Sequence, residues 1–256
     1  MTNGLTSHQH RVVSAFLTER SSERRHLAIS LTGAHAYGFP SPDSDIDLKC
    51  IHIAPLRSVL ALEPPSTVAD RIEFVEGVEL DYGSNEVGPV LSGILRGNGN
   101  FLERVLGAIP LHACAPLNSL RPVVRKNLSL QFYRHYHGFA SNQRQVAEEK
   151  RAAKKVLYVL RTALTGAHLL QTGEVITDVT VLAPQFGIDL TELLEAKRKA
   201  EKQGLSEGAY SRAVILMNRV FELLDAAKAA STLPEKAENS SELEEWLFDL
   251  RRSDLV

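Results

Sequence analysis

One stretch of this chain, residues 27–54, constrains the fold more than any other, because two short apolar segments flank one that is rich in glycine, proline, serine and aspartate. The first segment, LAISLTG, ends at Gly33 and is typical of a buried strand. The second, IDLKCIHIA, has Ile46, Leu48 and Cys50 at alternate positions, which predicts a strand with one buried face. Glycine and proline in HAYGFPSPDSD predict a loop or one helical turn followed by a turn. The sequence therefore predicts two strands joined by a tight loop that begins at Gly33 and contains Gly38.

Two aspartates mark the start of the second predicted strand. Asp45 and Asp47 are two residues apart, so their side chains leave the same face of the sheet. Carboxylates that point the same way repel each other, and in a cleft such a pair is stable mainly when a divalent cation neutralises it. Hard oxygen ligands of this kind select Mg²⁺ or Mn²⁺. The pair therefore predicts a metal site.

A third carboxylate is predicted on a hairpin. Apolar residues alternate on both sides of Glu76–Gly77, which predicts two strands and a tight turn over residues 70–82. Glu79 and Asp81 share one face of the second of these strands, and the two-residue period fits both as the partner of the aspartate pair. Three carboxylates with two metal ions about 3.5 to 4 Å apart are a standard arrangement for in-line phosphoryl transfer.

The second half of the chain is predicted to be helical. Residues 145–172 read as one long amphipathic helix that ends before Gly173, and further helices are predicted over 189–203 and 206–230. A polar linker over 231–240 precedes a last helix, for which Ser241 and Glu244 form a capping box. The expected architecture is an α/β domain over residues 1–125 followed by a helical domain over 126–256.

Composition and charge exclude several classes. Hydrophobic residues make up 44% and charged residues 23%, as in ordinary globular proteins. The formal charge of −2 provides no global field to attract nucleic acid. Cys50 and Cys114 are the two cysteines, without the spacing of a zinc site or a disulfide framework. Neither a membrane-spanning apolar run nor a secretory signal is present, so we expect a cytoplasmic protein.

Basic side chains are concentrated on the predicted long helix. Lys150, Lys154, Tyr158, Arg161 and His168 form one stripe at helical spacing. The stripe is either a solvated face or a surface that contacts the phosphates of a triphosphate or a nucleic acid, because lysine and arginine would offset a polyanion.

The loop and the aspartate pair together carry a family resemblance. The string G-A-H-A-Y-G-x5-S-D-x-D over residues 33–47 resembles the Gly-Ser-x-x-Tyr-Gly to Ser-Asp-x-Asp signature of the polymerase beta nucleotidyltransferase superfamily, and especially its RNA repair pathway DNA polymerase beta branch (RlaP-like). The resemblance covers roughly residues 27–170, and its later motifs look like Asp81, Glu86, Gly97-Asn98, Leu102-Glu103, Tyr136 to Ala140 and Leu157 to Arg161.

This resemblance implies an α/β (α+β) domain with a mixed sheet, in which Asp45, Asp47 and Asp81 hold Mg²⁺ or Mn²⁺ and carry the catalysis. It favours Asp81 over Glu79 as the third carboxylate, and it implies that Gly33 and its neighbour bind the β and γ phosphates. With the loop and the basic stripe, the expected nucleotide-binding residues are Gly33, Ala34, Tyr37, Gly38, Ser44, Lys154 and Arg161. Ser44 has an alternative role in capping the turn, and Tyr37 one as a packed aromatic.

The implied reaction moves a nucleoside monophosphate from a nucleoside triphosphate such as ATP to an acceptor hydroxyl, with RNA as the expected acceptor. One departure from the family pattern is Ala34, where the family usually has serine. A hydroxyl contact to a charged phosphate is worth about 1.5 to 3 kcal/mol, so nucleotide binding is expected to be weaker or differently arranged. The alternatives are a transferase that adenylylates a partner protein and a non-catalytic nucleotide-binding domain, the latter favoured by Ala34.

Overall fold

The computed structural model describes residues 5–41, 44–63, 66–107, 109–199 and 204–252. A π-helical turn, Glu103–Gly107, precedes the last strand. The other elements are, in chain order, α1 (Ser7–Glu23), β1 (Arg25–Leu31), α2 (Gly33–Ala36), β2 (Ile46–Ile53), α3 (Leu56–Val59), β3 (Val68–Val75), β4 (Val78–Glu86), α4 (Val87–Leu95), α5 (Gly99–Leu102), β5 (Ile109–Ala113), α6 (Ala115–Arg125), α7 (Gln131–Lys150), α8 (Ala153–Thr172), α9 (Val179–Gln185), α10 (Thr191–Lys199), α11 (Glu207–Ala230) and α12 (Ser240–Arg252).

The five strands form one mixed sheet in the order β3-β4-β2-β1-β5. Strands β2 and β4 run parallel, and the other neighbouring pairs are antiparallel. The predicted hairpin is confirmed as β3 and β4, joined by Glu76 and Gly77 with φ values of 49° and 80°. Two consecutive residues with positive φ are what a tight hairpin turn of this length requires. Because the sheet contains both parallel and antiparallel neighbours, the predicted mixed sheet is confirmed.

Helix α1 covers one face of this sheet. The helix begins with a capping box between Thr6 and Gln9 and buries Val12, Val13 and Phe16. These side chains join a core cluster with alternate residues of the strands: Ile29, Leu31, Ile46, Leu48, Cys50, Val78, Leu80 and Tyr82. Over residues 46–50 of β2 and 78–82 of β4 the buried positions thus follow the two-residue period of a strand, and the residues between them leave the opposite face.

The chain forms two compact units. The first comprises residues 1–36, 43–127 and 237–256, and the second comprises 37–42 and 128–236. Helix α12, which the sequence assigned to the helical part, belongs to the unit that contains the sheet. Glu242 accepts hydrogen bonds from Lys126 Nζ at 2.7 and 3.0 Å, and Trp246 Nε1 donates to Ser119 Oγ at 3.0 Å. The helix begins at Ser240, one residue before the predicted capping box.

In the second unit, α8 packs against α7, α9, α10 and α11 and is buried along most of its length. The prediction of one long helix over 145–172 is wrong, because α7 ends at Lys150 and α8 begins at Ala153. Arg151 breaks the helix with a left-handed backbone, φ 47°. Its guanidinium bonds Glu207 at 2.7 Å and lies 4.7 Å from the ring centre of Tyr210. Gly173, with φ 73°, ends α8 as predicted.

The structure also has helices within the predicted ranges 189–203 and 206–230. Ser206 caps α11, and α10 begins at Thr191 within the predicted helix 189–203, of which residues 200–203 lie outside the described residues. Within the described ranges, no helix is both long enough and apolar enough to cross a membrane.

Candidate active site

Asp47 and Asp81 lie directly opposite each other on the parallel neighbours β2 and β4. Each is half-buried. Leu48, which follows Asp47, and Tyr82, which follows Asp81, point into the core on the other face. Asp45 is also half-buried and comes one residue before β2 begins. Carboxylates at equivalent positions of adjacent strands project side by side from one face of the sheet. The fold therefore places two of the three predicted metal ligands next to each other.

The pKa of Asp47 responds both to its burial and to the charges around it. Burial, which is the largest cause, together with the carboxylates of Asp45 and Asp81, raises the pKa of the Asp47 carboxyl from 3.8 to about 7, while Lys49 opposes them. A carboxylate is destabilised by burial and by like charges, and a bound cation would relieve both effects.

Glu79, the alternative third carboxylate, lies two residues before Asp81 on the same face of β4. It pairs with Phe74 on β3, whereas the parallel register with β2 begins at Leu80 opposite Ile46. Asp81 is also one of the neighbours that raise the pKa of Asp47. The choice of Asp81 as the third ligand stays a prediction that this register favours.

The backbone of Gly33 lies against the side chain of Asp47. It has φ 62° at the start of α2, and a Cβ at this position would lie 1.7 Å from Asp47 Oδ2. Thr32 N also donates to Asp47 O at 2.9 Å. A side chain at residue 33 would therefore displace the Asp47 carboxylate. The adjacent Ala34 is buried, and Ser44 is buried just before Asp45.

The other predicted nucleotide-binding residues lie in the second unit. The Arg161 guanidinium is stacked over the Tyr37 ring at 3.7 Å, and Tyr37 and Tyr158 make an edge contact at 5.9 Å. Arg161 is 2% exposed, so the predicted stripe is not a solvated face at this position. Gly38 has φ 86°, and a Cβ there would lie 2.0 Å from Asp178 Oδ1. The roles of these residues and of half-buried Lys154 in nucleotide binding stay predictions.

Lys49 is a residue that the sequence reasoning missed. It follows Asp47 by two positions and so leaves the same face of β2, and its Nζ donates to Asp81 Oδ1 at 2.9 Å. The same two-residue period that grouped the aspartates could have identified it. Glu86, by contrast, was part of the family pattern but has a structural contact here, since its carboxylate accepts from Arg251 at 2.6 Å and caps α4 through Gly88 N at 2.7 Å.

The donor set of the sheet face suits a hard divalent cation. Carboxylate oxygens are the ligands that Mg²⁺ and Mn²⁺ prefer, and a bound cation would stabilise the ionised form of Asp47, whose pKa is raised by burial and by the carboxylates of Asp45 and Asp81. Among the described residues, no group of three His, Cys, Asp or Glu side chains already stands in a metal-binding arrangement. Asp81 is instead bonded to Lys49.

The sheet and its helices are the fold of a polymerase beta-type nucleotidyltransferase, as the loop motif implied. A sequence model for RlaP, the RNA repair pathway DNA polymerase beta family, matches residues 10–249, so the chain belongs to that family.

Two relatives and one solved structure are similar to this chain. The uncharacterized protein MJ0002 of Methanocaldococcus jannaschii is 26% identical over 156 residues, which cover 59% of this chain and 63% of that protein, less than two thirds of its length. The uncharacterized protein YcgL of Bacillus subtilis is 24% identical over 229 residues, covering 85% of this chain and 86% of YcgL. A nucleotidyltransferase-like protein from Exiguobacterium sibiricum aligns with 95% of this chain and 79% of its own at 12% identity, with a TM-score of 0.35.

Proposed function

We propose that this protein transfers a nucleoside monophosphate from a nucleoside triphosphate to an acceptor hydroxyl, and that the acceptor is RNA. The observation that carries the proposal is the register of Asp47 opposite Asp81 on adjacent parallel strands, with Asp45 one residue before the first of them. The family description supports RNA as the acceptor, since it refers to an RNA repair pathway.

In the proposed reaction the acceptor oxygen forms a bond to the α-phosphorus of the triphosphate. The bond between that phosphorus and the oxygen that bridges to the β-phosphorus breaks, pyrophosphate leaves with that oxygen, and the acceptor hydroxyl loses its proton to water. Asp45, Asp47 and Asp81 would hold Mg²⁺ or Mn²⁺, which when bound neutralises phosphate charge and lowers the pKa of the acceptor hydroxyl. Gly33 keeps the Asp47 carboxylate against the loop, because its missing Cβ is what allows that contact.

The test is incubation of the full chain with each labelled nucleoside triphosphate, Mg²⁺ or Mn²⁺ and total cellular RNA, followed by separation of RNA from protein. We expect label in the RNA fraction, and we expect Asp47→Asn and Asp81→Asn to lower incorporation by about a hundredfold or more, as removal of one preorganised charge-stabilising group commonly does. Glu79→Gln is the matched control on the same face of β4 and should keep most of the activity.

Thermal unfolding of the same variants separates loss of chemistry from loss of fold. Asp47→Asn should leave the stability of the metal-free protein unchanged or higher, because the substitution removes a carboxylate that its neighbours and its burial destabilise. Unchanged incorporation by folded Asp47→Asn and Asp81→Asn proteins would reject the proposal. Label in the protein fraction would instead indicate a protein-modifying transferase.

A second candidate is a non-catalytic nucleotide-binding domain, which the Ala34 position favours. Ala34 is 1% exposed and offers no hydroxyl where the family pattern usually has serine. Calorimetry would then show nucleotide binding while none of the four triphosphates supports metal-dependent incorporation. Ala34→Ser should raise nucleotide affinity if the missing hydroxyl is what limits it.

A further inference from the structure

Lys49 lies across β4 in a space that a glycine leaves open. Its register partner on β4 is Gly83, whose own partner on β3 is Asp70. A Cβ at Gly83 would lie 3.3 Å from both Cδ and Nζ of Lys49 and 2.9 Å from Asp70 Oδ1. A side chain at position 83 would therefore require both Asp70 and Lys49 to shift. Gly83 therefore lets the Lys49 stem pass over the strand towards Asp81.

The ammonium of Lys49 ends on a predicted metal ligand. Its Nζ lies 2.9 Å from Asp81 Oδ1, and the two side chains are 27% and 32% exposed, so water only partly screens the pair. A charge-assisted hydrogen bond of this length is a strong contact. One carboxylate oxygen of Asp81 is therefore already bound to a cationic side chain of the protein itself.

We propose that Lys49 is the resident counter-cation of the carboxylate cluster formed by Asp45, Asp47 and Asp81, an inference that rests on the proposed metal-dependent transfer. A divalent cation that binds Asp81 must then displace the ammonium of Lys49. A cation that enters the cluster meets both the attraction of the carboxylates and the repulsion of the lysine. The lysine therefore lowers the affinity of the protein for the metal alone. A nucleoside triphosphate brings further negative charge, which offsets the lysine, so metal and nucleotide bind with positive coupling.

The experiment is calorimetric titration of Mn²⁺ into the full chain, with and without a nucleoside triphosphate that cannot be hydrolysed between its α and β phosphates. The variants are Lys49→Met, which keeps the apolar stem and removes the charge, and Lys49→Arg, which keeps the charge. Lys126→Met is the matched control, since Lys126 also bonds a carboxylate, that of Glu242 at 2.7 Å, on other elements of the same unit.

Without nucleotide, Lys49→Met should bind Mn²⁺ about tenfold more tightly than the parent protein, because one unit of repulsion at close range is removed from a partly screened site. Lys49→Arg and Lys126→Met should bind like the parent. The gain in Mn²⁺ affinity that nucleotide causes should be smaller in Lys49→Met. Thermal unfolding should show a larger stabilisation by Mn²⁺ in Lys49→Met, and Lys49→Gln replaces that variant if it does not fold.

Equal or weaker Mn²⁺ binding by folded Lys49→Met overturns the role of Lys49 and leaves the proposed metal site intact. A tenfold gain in Lys126→Met as well would mean a general charge effect, which also overturns it. If neither the parent nor Lys49→Met binds Mn²⁺, with or without nucleotide, the proposed function itself fails and this inference fails with it.

Discussion

Gly33 is the residue at which backbone conformation and the candidate site depend most directly on each other. Gly33→Ala should destabilise the protein by about 1 to 3 kcal/mol, because alanine must adopt a left-handed backbone and its Cβ must displace Asp47. RNA labelling should fall together with stability. Gly138→Ala is the control: Gly138 lies in α7 with open space around its Cα, so alanine there should stabilise by up to about 1 kcal/mol. Urea unfolding of both variants measures the difference, and equal stabilities would contradict the prediction.

Side-chain periodicity predicts which residues of the site share a face, but not which of them meet. The spacing of Asp45 and Asp47 and that of Glu79 and Asp81 indicate two carboxylate pairs. Their pairing depends on the register between β2 and β4, which are separated in sequence by α3 and β3. Register of this kind is set by packing of the whole sheet and has no local signal. The importance of Lys49, by contrast, was readable from its position two residues after Asp47.

At the scale of elements, local signals predicted the strands and the hairpin, whereas no local sequence signal indicated the break between α7 and α8. Neither proline nor glycine stands at the break, and Arg151 takes a left-handed conformation that is unfavourable for a residue with a side chain. The contacts that hold it come from Leu205 N, Glu207 and Tyr210, more than fifty residues later. Tertiary contacts thus override helix periodicity, which a local pattern cannot show.

Another element whose attachment is not local is α12, which a buried ion pair fixes to the end of β4. Arg251 bonds Glu86 at 2.6 Å and Ala54 O at 2.9 Å, and the two side chains are 9% and 5% exposed. Arg251→Leu should cost about 3 to 5 kcal/mol of unfolding free energy, since it leaves the Glu86 carboxylate buried without its partner. The neighbouring Arg252→Leu, at an exposed pair with Asp249, should change stability by less than about 0.5 kcal/mol. Equal effects in urea unfolding would contradict the ion-pair argument.

At the scale of the whole molecule, acid sensitivity should come in part from histidines buried in the sheet. His26 bonds Tyr82 OH at 2.7 Å, and burial, with the positive charge of Arg24 and the nearby His52 and His112, lowers its pKa from 6.5 to about 4. A lowered folded pKa means that the unfolded chain takes up a proton at a pH where the folded chain does not. The stability that neutral His26 provides is therefore complete above pH 6.5 and is lost as the pH falls towards 4.

Replacement of His26 by a residue that cannot titrate isolates this contribution from every other ionisable group. In His26→Gln the amide can still bond the tyrosine hydroxyl, but no proton is taken up on unfolding. Between about pH 7.5 and 4.5 the parent should lose roughly 1 to 3 kcal/mol more unfolding free energy than the variant. Asp47, whose folded pKa is raised, acts in the opposite direction over the same range, but both proteins contain it and the difference between them cancels its effect. Urea unfolding at several pH values gives the two curves, and parallel curves would show that His26 does not contribute to acid sensitivity.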